Sequence, residues 1–221
     1  MRKQIFIISF LFLFLQFSIA QTTGVPDSES IKEKVLNTES PFYYPLLLEL
    51  YLNHPENISA DDYHYLYYGA ALQEGFSGYS ATVKLREIVD VLNASEPDFE
   101  KAMEMVTAFL ETNPVSIDGL FYYAYILKNL GNLEESDLIY VKIRGLLDAI
   151  YRSGDGLSEE TAYWVISVRD EYTILDMGEY TSVGQSLLSS KWGPIDYLKL
   201  EKNKDNVKGL YFNISFFFGK Y

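Results

Sequence analysis

The sequence predicts a mostly α domain, a stack of helical hairpins finished by a C-terminal β-hairpin, and three observations carry that prediction. Apolar residues recur at helical spacing through most of the chain, as in Leu85, Ile88, Val89 and Leu92, which occupy i, i+3, i+4 and i+7. Small and apolar positions recur 34 residues apart, pairing Ala102 with Ser136, Val106 with Tyr140 and Phe109 with Ile143. Near the C-terminus the period becomes two, where Leu210, Phe212, Ile214, Phe216 and Phe218 alternate with Tyr211, Asn213 and Ser215. With 221 residues, 48% hydrophobic and 16% aromatic, the chain has the material for one packed core and is too apolar to stay unfolded.

In chain order, Arg2 and Lys3 precede an apolar run from Ile5 to Phe17, and Ser18-Ile19-Ala20 supplies the small residues of a cleavage site. Residues 1–20 are expected to be a signal peptide, since the run is shorter than the roughly 20 residues a bilayer span needs. Residues 21–27 read as a flexible lead-in, and 28–221 as a single α-rich domain. Pro41 is placed to open a helix whose apolar run is Tyr44 to Tyr51, ending at His54-Pro55. Ser59-Ala60-Asp61-Asp62 resembles a capping box ahead of Tyr63, Leu66, Tyr67 and Ala70. Gly75 to Gly78 breaks that helix, Ser80 can cap the next and Pro97 starts another.

The 34-residue spacing is the tetratricopeptide period, and the chain resembles that helical-hairpin repeat family over roughly 95–190. Pro114 closes the first unit, and Leu130 to Ser136 holds the turn of the second. The small residues at 102 and 136 let paired helices approach, with Tyr140 filling the space beneath them. A weaker third unit is expected over 158–188, turning at Gly178-Glu179-Tyr180. The insertion ahead of it falls around Ser153-Gly154-Asp155-Gly156, where Gly154 ends one helix and Ser158 caps the next. Residues 195–218 form the C-terminal hairpin, with Ile195 to Glu201 pairing across a polar turn at 202–206.

Charge and composition exclude several classes. Cleavage after Ala20 leaves 16 Lys plus Arg against 31 Asp plus Glu, a net charge of −15 that repels phosphate backbones and anionic headgroups. No nucleic-acid partner is expected, and no integral membrane segment after cleavage. Absence of cysteine excludes a disulfide scaffold, a thiolate nucleophile, a Cys-zinc site and bacterial lipid anchoring. The chain is expected to be exported, periplasmic or extracellular, in a Gram-negative bacterium.

Catalytic motifs are weak. Gly75-Phe76-Ser77-Gly78-Tyr79 comes near a G-x-S-x-G elbow but has Tyr where the last glycine belongs and follows a helix. His54 and His64 are the only available imidazole bases. Asp61, Asp62 and His64 do not share a helical face at i, i+4, and capping accounts for the acids, so no metal site is assigned. No phosphate-cradling loop is present and no cofactor is expected. Tyrosine is in excess, with 19 residues, and part of that excess belongs on a binding surface.

Tyr67-Tyr68-Gly69, Gln73-Glu74-Gly75, Ser153-Gly154-Asp155-Gly156, Asp170-Glu171-Tyr172 and Tyr211-Phe212-Asn213-Ile214 occur in an order that resembles domain of unknown function 4919, a family of uncharacterised exported bacterial proteins. The resemblance spans most of the mature chain and implies export and a shared fold without supplying a site. The expected function is binding, with a peptide or partner protein held in a helical-repeat groove. The alternative is a small periplasmic enzyme or glycan-binding protein with an acidic, tyrosine-rich pocket. The candidate binding residues are Tyr67, Tyr68, Glu171 and Tyr172, and none is assigned as catalytic.

Overall fold

The computed structural model describes residues 24–79 and 81–219. The expected signal peptide, the start of the lead-in and the expected cap Ser80 lie outside the described residues. Helix α1 (Ser28–Leu36) starts on Asp27, whose carboxylate accepts from the Glu29 and Ser30 amides. In the rest of the lead-in the Gly24 amide donates to the Arg152 carbonyl at 2.8 Å and Pro26 is buried. Helix α2 (Tyr44–Asn53) takes Pro45 rather than Pro41 into its first turn, while Ser40 accepts from the Phe42 amide and holds Pro41 in the turn before it. The Ser59–Asp62 capping box forms as expected and opens α3 (Ala60–Ala70).

Helices α4 (Ala81–Leu92), α5 (Phe99–Thr112), α6 (Ile117–Asn129) and α7 (Leu133–Tyr151) follow, with α5, α6 and α7 each packed on the one before it. Asp98 caps α5 by accepting from the Lys101 amide, and Ser116 caps α6 through the Gly119 amide. The α6–α7 turn needs a left-handed residue, which Gly131 supplies at φ 85°. Ala102 is fully buried, and the Ser136 hydroxyl donates to the Ala124 carbonyl at 3.0 Å, tying α7 to α6. Tyr140 departs from its expected place beneath these residues and is 41% exposed.

Beyond α7 the expected helical unit over 158–188 is replaced by mixed structure. Residues 153–161 form a turn closed by the Asp155 and Gly156 amides, both donating to the Thr161 carbonyl. Ser158 bonds Thr161 there instead of capping a helix. Strand β1 (Tyr163–Trp164), helix α8 (Val168–Met177) and strands β2 (Ser182–Ser190), β3 (Gly193–Leu200) and β4 (Gly209–Asn213) follow. The sheet order is β1-β4-β3-β2, with β1 parallel to β4 and the other pairs antiparallel. The expected hairpin is the β3–β4 pair, with Ile195 opposite Asn213 and Leu198 opposite Leu210, and the sheet adds one strand on each side.

The last strand ends five residues before the apolar alternation does. The Asn213 side chain accepts from the Ser215 amide, and the Phe217 and Phe218 amides turn back to the Ile214 carbonyl. Phe216 and Phe217, consecutive in this turn, are both buried.

The main core joins α1, α2, α3, α6, α7 and α8 to one face of the sheet. Tyr67, Tyr68, Leu146, Leu198 and Phe212 lie in it with no exposed surface. Burying one such large apolar side chain contributes about 1.5–3 kcal/mol. A smaller core between α4, α5 and α6 holds Leu85, Ile88, Val106, Phe109 and Ile126. No helix among the described residues is long and apolar enough to cross a membrane.

Candidate functional site

The first turn of α8 buries two carboxylates, Asp170 and Glu171, and β3 adds a third, Asp196. Ser167 and Asp170 form a capping box: the Ser167 hydroxyl accepts from the Asp170 amide, and Asp170 Oδ2 accepts from the Ser167 amide at 3.1 Å. The same Oδ2 accepts from the Tyr67 hydroxyl of α3 at 2.7 Å, and that hydroxyl accepts in turn from the Ile166 amide at 3.3 Å. Burial pushes the Asp170 carboxyl up to about 6, against the hydrogen bonds from Tyr67 and Ser167 that pull it down. Arg169 points the other way, its guanidinium paired with Asp118 of α6, while the Thr173 hydroxyl donates to the second Asp118 oxygen at 2.5 Å.

Glu171 follows directly and has no exposed surface and no hydrogen-bond partner for either carboxyl oxygen. Burial, followed by the nearby charges of Asp196 and Asp170, pushes its carboxyl up to about 9, so it is a neutral acid at pH 7. Asp196 of β3 is buried, with one oxygen accepting from the Gln185 side chain of β2 and the other unpartnered. Burial raises its carboxyl as well, opposed by the Gln185 bond.

Of the four candidate binding residues, Tyr67, Tyr68 and Glu171 are completely buried, and Tyr172 is 37% exposed. Tyr67 and Glu171 meet at the α8 start through Asp170. Tyr68 turns into the core instead. Its hydroxyl lies 3.2 and 3.1 Å from the Ala149 and Trp164 carbonyl oxygens, and its ring stacks on Phe216 at 5.1 Å. These residues form the interior behind a surface whose walls come from elsewhere.

Those walls enclose two adjoining clefts along α2. The first, of about 410 Å³, lies between Tyr44 of α2, the α3–α4 connection, the α5–α6 turn and the α8 start, with Asp170, Arg169, Asn113 and Ser116 supplying its polar groups. The second, of about 450 Å³, lies between α2 and helices α5, α6 and α7, lined by Tyr51, Leu52, Leu110, Tyr123, Leu138 and Lys142. Leu48, Glu111 and Pro114 border both, so the two clefts adjoin. The Tyr51 hydroxyl donates to the Pro114 carbonyl at 3.1 Å and fastens α2 to the α5–α6 turn on its floor.

Sequence reasoning passes over this groove because its residues come from six helices, α2, α3, α5, α6, α7 and α8. One local signal does exist. Lys142 lies on the apolar stripe of α7 with Ile139, Ile143, Leu146 and Ile150, where a charged residue is out of place.

The hydrolase motif is not assembled: Ser77 borders the first cleft, and neither His54 nor His64 does. His64 is half-buried against Tyr65 and Tyr68, and burial, helped by Arg152, lowers its imidazole to about 4. Asp155 accepts from the Leu157 amide at 2.9 Å and the Thr161 hydroxyl at 2.5 Å, which makes it a turn residue. No group of acids and imidazoles among the described residues has the arrangement of a metal site.

The family model described as Domain of unknown function (DUF4919) matches residues 29–221, and the chain belongs to that family. No curated protein and no solved structure matches it significantly.

Proposed function

We propose that this protein is an exported binding domain that holds a peptide, or an extended segment of a partner protein, in the groove along α2. In this reading α4–α5 and α6–α7 act as stacked hairpins of tetratricopeptide-like packing, and α2 is the opposite wall. The observation that carries the reading is that the two clefts adjoin across Leu48, Glu111 and Pro114. Read as one groove, they give a mainly apolar trough edged by polar groups, which suits a chain better than a compact small molecule. Export rests on the basic residues, apolar run and small-residue boundary at the N-terminus.

The test is retention of a random peptide library on immobilised protein beginning at Gln21, alongside a Leu48→Glu variant that melts normally. The expected result is a set of peptides enriched on the wild type and lost on the variant, because Leu48 lines both clefts. Equal retention by both proteins, or no enrichment, contradicts the reading.

A second reading has one observation in its favour. Asp170, held by Tyr67 and raised to about 6, borders the first cleft and has the protonation range of an acid–base group. Binding or turnover of a glycan that Asp170→Asn abolishes would favour a small enzyme or glycan-binding protein.

A further inference from the structure

Lys142 is 8% exposed and lies on the apolar face of α7, bordering the second cleft. Its ammonium donates to the Leu52 carbonyl at 3.3 Å and stands 4.8 Å from the centre of the Tyr51 ring. Among the described residues no carboxylate lies within 4 Å of it, and the ion pairs of Arg152, Arg169 and Lys204 use other acids. A carbonyl and a ring face solvate an ammonium incompletely, since it carries three donors and its charge has left water. Such a cation beside an apolar cleft gains most from an anion that arrives with its own apolar cover.

We infer that Lys142 is the anion-pairing end of the groove and takes a carboxylate borne on an apolar chain. The inference rests on the groove reading and names the chemistry of what the second cleft accepts. Its walls are Tyr51, Leu52, Leu110 and Leu138, and about 450 Å³ is within the usual range for a cleft that buries most of a ligand. Three acids also border the cleft, Glu56, Glu111 and Glu135. All three are exposed, so water and salt screen them. Glu135, whose charge bears on Lys142, accepts from the Tyr123 hydroxyl at 2.6 Å. Burial lowers the proton affinity of Lys142, with Glu135 opposing, and a bound carboxylate would restore it.

The carboxylate is an acidic side chain of the bound peptide segment, and calorimetry tests it against a free fatty acid. One arm compares a leucine-rich peptide carrying one central Glu with the same peptide carrying Gln. The other compares decanoate with decanol. In the peptide arm the acidic member is expected to bind the wild type about tenfold or more tightly than the neutral one, and a preference shown by decanoate alone overturns the peptide source. Lys142→Met is expected to erase that preference while keeping the affinity for the neutral member, and Lys142→Arg to retain it. Equal binding of acidic and neutral members to the wild type leaves the groove reading intact and overturns the role of Lys142. So does an acid preference that survives in Lys142→Met, and so does failure of every probe to bind. Failure of the groove reading is read separately, as library retention that Leu48→Glu does not change.

Discussion

Replacing Glu171 by Gln is expected to flatten the fall in stability of this protein between pH 6.5 and 9. The folded chain holds the Glu171 proton up to about 9, whereas an unfolded glutamate releases it near 4.5. Between those values the folded state carries the extra proton, so the stabilising contribution is complete below 4.5 and is lost as pH rises toward 9. One full proton of difference corresponds to about 1.4 kcal/mol per pH unit. Asp170 contributes in the same direction, from 3.8 to about 6. His64 opposes both, because its pKa falls from 6.5 to about 4, so its contribution is present above 6.5 and lost as pH drops. Above pH 6.5 the slope therefore belongs mainly to Glu171. Denaturant melts at intervals from pH 6.5 to 9 are expected to slope downward for wild type and much less for Glu171→Gln. At pH 8 the variant should be more stable by up to about 5 kcal/mol, about 1.4 kcal/mol for each pH unit above 4.5 over which folded wild type keeps a proton that the unfolded chain has released. Parallel curves would show that Glu171 is ionised in the folded chain and paired with something the fold supplies.

The second large effect is at Gly145, in the middle of α7. Glycine there costs the helix about 1 kcal/mol relative to alanine, so its presence needs a packing reason. A Cβ at 145 would lie 2.2 Å from the Tyr63 ring of α3. Helices α3 and α7 meet at this contact, and Tyr63 is 5% exposed. Gly145→Val is expected to destabilise by at least about 1–3 kcal/mol, the usual range for overpacking. For a chain of this length that lowers Tm by about 2–4 °C per kcal/mol. An unchanged Tm would mean that the two helices separate without cost, and would remove α3 from the main core.

How much of this was legible in the sequence follows from the range over which each feature is determined. Helix starts are local, so the Ser59–Asp62 capping box, the stripe of Leu85 and Ile88 and the small residues Ala102 and Ser136 all read correctly. The Ser167–Asp170 box is equally local, and it is hidden only by the stronger expectation that Ser158 opens the third helical unit. Strand β2, SVGQSLLSS, gives no apolar alternation because it is an edge strand exposed on most of its length, and its pairing with β3 supplies what periodicity does not. The tyrosine excess pointed to a surface, whereas Tyr67 and Tyr68 send their hydroxyls to Asp170 and Trp164, partners about 100 residues away. Glu171 is among the candidate residues of the sequence, but its protonation is decided by burial, followed by the charge of Asp196 on a strand that reaches α8 only in the folded chain.

The groove itself is tested most directly by hydrogen exchange on the protein with and without a peptide enriched from the library. Slower exchange is expected at the amides of residues 44–57 and 107–123, the α2 wall and the α5–α6 wall that face each other across Leu48 and Pro114. Protection confined to the exposed edge of β2, at residues 182–190, would place the partner on the sheet and contradict a groove that binds along α2.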